Sequence, residues 1–162
     1  MKVADIKIRR YPQPIRGIIT GEGIQWIALA ENVVDYVLDG YMFINKQYIQ
    51  TVNERPHDSL HSKILLHKYR KTDFSGLDSY SSMLNALQEK GLLIAVGRNN
   101  QQSFLVGHIE SVGMTSFKLA PIDTNLTKLP KTKIAYSTIR YLSIMSDYLN
   151  SISDFINPQH RH

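Results

Sequence analysis

A glycine set inside an apolar strand recurs in both halves of this chain, and the segments that follow it recur in the same order. In the first half, Ile15-Arg16-Gly17-Ile18-Ile19 precedes Trp26-Ile27-Ala28-Leu29, and later Tyr41-Met42-Phe43-Ile44-Asn45-Lys46-Gln47-Tyr48-Ile49. In the second half, Phe104-Leu105-Val106-Gly107-His108-Ile109 precedes Phe117-Lys118-Leu119, and later Ile134-Ala135-Tyr136-Ser137-Thr138-Ile139-Arg140-Tyr141-Leu142. A missing side chain permits the sharp bend that a strand needs to close a five-stranded barrel. The short break before Tyr48-Ile49, and the one before Ile139, predict a single tight turn that redirects the last strand of each half. The pattern predicts two small five-stranded antiparallel barrels.

At 162 residues, two barrels would each sit near the lower size limit for an independent core, so they are expected to pack on each other. The boundaries expected are 1–54 for the first barrel, 55–91 for a helical linker and 92–162 for the second barrel with a closing helix. Val3 to Arg9 alternates apolar and charged residues and reads as an edge strand. Asp39-Gly40 is the strongest hairpin signal. In the linker, Asp58 is a candidate cap for a first helix carrying Leu60, Ile64, Leu65 and Tyr69. Asp78 or Ser79 caps a second with Met83, Leu84 and Leu87 inward, stopped by Gly91. Ser146 or Asp147 opens the closing helix, with Leu149, Ile152, Phe155 and Ile156 inward. The tail Gln159-His160-Arg161-His162 reads as frayed.

The second half resembles an Sm-like barrel: a strand with an inner glycine (Gly107), a following strand ending in an apolar-polar-apolar triplet (Phe117-Lys118-Leu119), a penultimate strand, a one-turn break and a last strand. The whole chain is similar to an uncharacterised bacterial family of tandem small-barrel proteins. The residues that carry this likeness are Asp39-Gly40-Tyr41, Gln47-Tyr48-Ile49 and the pair Asp147-Tyr148. The chain departs from that family in its positive charge and in Asn45-Lys46, where paired arginines are often seen. The resemblance implies a mainly β fold: two small Sm-like five-stranded antiparallel barrels packed together, a helical linker and a C-terminal helix. It implies no settled function.

Cysteine is absent, which removes disulfides, thiol nucleophiles and thiolate metal sites together and fits a reducing, cytoplasmic location. No stretch approaches the ~20 apolar residues of a membrane helix. His57-Asp58-Ser59-Leu60-His61 has the spacing of a zinc-binding helix, but with aspartate where such helices use glutamate and with no third ligand following. It reads as a polar helix start. No P-loop, dinucleotide fingerprint or nucleophile elbow occurs. Gly21-Glu22-Gly23 reads as a turn, and Glu110 and Asp123 as surface carboxylates. No catalytic residue, metal or cofactor is expected.

What remains is charge and aromatics. The formal net charge is +5, a field that favours nucleic acid or acidic surfaces. Base stacking needs exposed aromatics beside basic residues, and Lys131, Lys133, Tyr136, Arg140 and Tyr141 are the candidate set. Tyr41, Lys46 and Tyr48 are the counterparts in the first half. The competing reading places these aromatics in the core. Three functions stay open: a non-catalytic RNA-associated module, an adaptor that binds another protein through barrel edges or an apolar face, and, ranked last, an enzyme; barrel edges also leave an oligomer open.

Overall fold

The computed structural model describes residues 1–158, and the tail Gln159–His162 lies outside them. Ten strands and three α-helices follow in the order β1 (Lys2–Ile8), β2 (Ile15–Glu22), β3 (Trp26–Val34), β4 (Val37–Asn45), β5 (Ile49–Glu54), α1 (Leu60–Lys68), α2 (Tyr80–Glu89), β6 (Leu93–Gly97), β7 (Phe104–Val112), β8 (Ser116–Ile122), β9 (Thr132–Ala135), β10 (Tyr141–Ile144) and α3 (Asp147–Ile156). Short 3₁₀ turns, Lys46–Tyr48 and Tyr136–Thr138, separate β4 from β5 and β9 from β10.

The two barrels expected from the sequence are not present. All ten strands form one antiparallel sheet in the order β5-β1-β2-β3-β4-β10-β6-β7-β8-β9, open at both ends. The physical reason is the partner that β4 takes. Closing the first half would require β4 to pair with β5. Instead β4 takes β10, with Ile44 opposite Tyr141, Phe43 opposite Leu142, Met42 opposite Ser143 and Tyr41 opposite Ile144. The far edge of β10 takes β6. The fold is therefore one open sheet and not an Sm-like pair of small barrels. The largest core also runs across the join: Trp26, Ala28 and Phe43 of the first half pack with Ile94, Val96, Phe117 and Leu142 of the second.

Within this sheet the two halves repeat with a constant offset of 90 residues, as in Gly17 and Gly107. Gly17 faces Glu31 and Gly107 faces Pro121; Ile19 faces Leu29 and Ile109 faces Leu119; the register slips after Ile19 and again after Ile109. Ile49 and Ile139 close the two 3₁₀ turns with nearly the same dihedrals. At both glycines a Cβ would collide with a carbonyl oxygen of the neighbouring strand, that of Ala30 or Ala120. The missing side chain therefore serves close backbone approach.

Other local expectations shift as well. β1 is not an edge, because it lies between β2 and β5. Asp39-Gly40 is not the hairpin turn. Val34 pairs with Val37, so Asp35-Tyr36 makes the two-residue turn, with Asp35 at φ 42°. The Asn32 amide secures that turn by donating to the Asp35 and Val37 carbonyls, both at 3.0 Å. Asp39 and Gly40 instead form a bulge within β4, two residues opposite the single residue Glu31, with Gly40 at φ 72°. Ser59 rather than Asp58 caps α1, Ser79 caps α2 and Ser146 caps α3. α1 lays Leu65 on Val3, Ile18 and Ala30. α2 inserts Met83, Leu84 and Leu87 into the main core. α3 sets Leu149 on Leu93, Ala95 and Val106.

Candidate functional site

The five residues proposed for base stacking do not share an exposed face. Tyr136, Arg140 and Tyr141 are buried; only Lys131 and Lys133 face solvent. Arg140 is 5% exposed, with its guanidinium 3.4 Å above the centre of the Tyr48 ring. Its backbone joins the halves: the N–H donates to Gly97 and the carbonyl accepts from Asn45. Tyr136 stacks on Tyr80 with centroids 5.0 Å apart and donates its hydroxyl to the Gly113 carbonyl. Tyr141 packs edge-on to Tyr11. Lys131 pairs with Glu110. In the first half, Tyr41 donates to the Thr72 hydroxyl at 2.8 Å and Lys46 pairs with Glu22 at 2.8 Å. These aromatics seal the interior, as their spacing in small strands favours.

The zinc-spaced histidines part company in the same way. His57 precedes α1, and only His61 lies on it, its Nε2 2.9 Å from the Asp35 carbonyl. Among the described residues no group of three or more His, Asp or Glu is placed to hold a metal. No helix among them is long and apolar enough to cross a membrane.

Two features of the sheet do present themselves. The first is its pair of open edges. β5 is exposed along nearly its whole length, and β9 exposes Lys133 and Ala135. Each leaves a row of backbone donors and acceptors without a strand partner.

The second is a cleft of about 200 Å³ on the seam, lined by Glu31, Met42, Ala95, Tyr141, Ser143 and the first turn of α3, with Phe104 and Tyr148 at its mouth. The bulge in β4 builds it. Gly40 lies hard against the Ile144 carbonyl and the Ser146 amide, where no side chain would fit. That approach brings Asp39 Oδ1 to 2.7 Å from the Asp147 N–H, which it accepts at the start of α3. Glu31 projects from the face of β3 that carries Ile27 and Leu29, both buried. Burial pushes its carboxyl up to about 7, and the nearby Asp39 carboxylate adds in the same direction. The Tyr141 hydroxyl is raised to about 12, by burial first and then by Glu31. Sequence reasoning passed over Glu31, although a carboxylate ending the apolar row Ile27-Leu29 was the available signal.

No protein-family model, curated protein or solved structure matches this chain.

Proposed function

We propose that this chain is a non-catalytic interaction module that assembles with further copies of itself, edge strand to edge strand. The observation that carries the reading is the register of β4 on β10, joined to the 90-residue offset of the halves. β9 is the counterpart of β4 and β5 the counterpart of β10, and these two are the strands left with one edge unpaired. Repeating the internal join between copies sets Ile134 opposite Thr51, Lys133 opposite Val52, Thr132 opposite Asn53 and Lys131 opposite Glu54 of the next copy. Opposite charges directly across a strand pair are favourable. In a single copy the same two residues hold in-chain partners, Glu110 for Lys131 and Lys2 for Glu54. Such charged ends keep a free edge solvated until its partner arrives. A join of this kind uses different surfaces on the two copies and generates rings or filaments.

Sedimentation velocity over a concentration series, with and without nuclease, tests the reading. The expected result is a nuclease-resistant species larger than the monomer, shifted toward monomer by Lys131→Glu and restored when Glu54→Lys is added. A monomer at every concentration, or a double reversal no better than the single one, overturns it. A size that collapses on nuclease treatment overturns it in favour of nucleic-acid binding.

A further inference from the structure

The seam cleft holds a carboxylate that the chain itself does not neutralise. Six ion pairs occur among the described residues and none involves Glu31. Nor does any described side chain or backbone amide donate a side-chain hydrogen bond to it. A half-buried carboxylate in that condition is held at a cost in stability, and such a residue is a marker of function when it lines a cavity.

The walls are as informative as the charge. Phe104 and Tyr148 stand at 86° to each other with centroids 6.1 Å apart, and they are 45% and 50% exposed, unlike the sealed aromatics of the core. The two rings meet edge to face, and a ring face left open beside the cleft attracts a cation through its quadrupole, most strongly where water is partly excluded. Met42, Ala95 and Leu149 supply an apolar floor. At about 200 Å³, the space is below the roughly 300–1,000 Å³ that encloses a drug-sized ligand. It admits a head group on an apolar stem and excludes a nucleotide.

The surrounding charges agree. Asp39 on β4 and Asp147 at the start of α3 are both acidic. Of the residues that line the cleft from β10 and α3, the ionisable ones are the phenols of Tyr141 and Tyr148. Arg16 of β2 borders the same stretch of surface as Glu31. Its guanidinium is turned onto Asp5, with Nε 2.6 Å from the carboxylate, and Asp5 is also held by Arg55 at 2.8 Å.

The geometry points to a binding site for an alkylammonium cation, with Glu31 as its counter-charge and the rings of Phe104 and Tyr148 as its walls. The cation is either a free small amine or the methylated or unmodified ammonium of a lysine side chain on another protein. The site stands apart from the sheet edges, so it survives whether or not the chain assembles.

The test is an NMR titration of the full chain with n-butyltrimethylammonium chloride, set against a neutral alcohol of the same branched shape. The expected result is saturable shifts at Phe104, Tyr148 and Met42 with the cation and none with the alcohol. Glu31→Gln should weaken binding about ten- to a hundredfold, the loss of one close opposite charge. Phe104→Leu keeps the apolar bulk and should weaken it as well, through loss of the ring face. Affinity should rise about tenfold from pH 6 to pH 8, as the ionised share of Glu31 grows. A peptide carrying one trimethyllysine that binds more tightly than the free cation assigns the source to a protein; equal affinity assigns it to a free amine. Equal binding of the alcohol, or binding unchanged in a folded Glu31→Gln chain, overturns the inference.

Discussion

Replacing Glu31 by glutamine keeps the shape of the side chain and removes only its ability to ionise. In the folded chain its carboxyl titrates at about 7 against an ordinary value of 4.5, because of burial and then Asp39. A folded-state value raised in this way gives stability that is complete below pH 4.5 and is lost as pH rises through 7. Below pH 4.5 both states carry the proton, and glutamic acid and glutamine are near equivalents. Above pH 7 the folded chain must hold a charge that the unfolded chain solvates freely. Two and a half pH units correspond to about 3 kcal/mol. The Glu31→Gln chain should therefore match the parent near pH 4 and exceed it by up to about 3 kcal/mol at pH 8. The assay is urea unfolding of both chains at pH 4, 5, 6, 7 and 8, taking the difference at each pH so that every other titrating group cancels. A difference that stays constant across this range would refute the assignment of a raised, unpartnered carboxyl. A parent that becomes the more stable chain at high pH would show that Glu31 has a cationic partner within the chain.

The remaining expectations concern the repeat and the seam. Gly17→Ala and Gly107→Ala should each destabilise by about 1–3 kcal/mol in thermal or denaturant unfolding, since both added methyl groups meet backbone that cannot move aside. Asn45 is fully buried; its amide donates to Tyr80 and the Ile139 carbonyl, and its oxygen accepts from Gln25 and the Gln47 N–H. Asn45→Ala should cost about 1–3 kcal/mol and expose β10 amides to faster hydrogen exchange. Tyr48→Leu removes the ring beneath Arg140 and should lower stability by about 0.5–2 kcal/mol, whereas Lys133→Ala, on an exposed side chain, should change it by less than about 0.5. Association between copies should weaken as salt rises from 0.05 to 0.5 M, read by light scattering, because the Lys131–Glu54 opposition is exposed to screening.

The repeat was legible because its signals are local: a glycine where only glycine fits, a one-turn break, an isoleucine resuming the strand. Closure was not legible, because it depends on which partner β4 selects. Alternation along Tyr41–Asn45 specifies the faces of a strand and says nothing about which strand lies beside it. Asp39-Gly40 carried the composition of a hairpin turn, yet Asn32 secures a turn four residues earlier and leaves the glycine to form a bulge. Arg140 misled for another reason. A basic residue between aromatics resembles a stacking platform, and only the position of Tyr48 reveals that its guanidinium is already covered. Glu31 was hidden by β3 itself, which is buried on both faces from Trp26 to Ala30. In such a strand no face is marked as polar, so the one sign was the carboxylate itself, ending the apolar row Ile27-Leu29.

The different partners of Asn45 and Ala135 at the same place in the repeat have a mechanical consequence. Any closed assembly of this chain contains an even number of repeats, and its seams alternate between two strengths. The seam within a chain is tethered by the linker and clamped by Asn45; in the proposed assembly, seams between chains would have Ala135 there and would keep charge at their rim. Dilution or load would part such an assembly only at every second seam, releasing intact chains and never half-units. Each released chain would show one face of the seam at one end and the opposite face at the other, so regrowth has a direction.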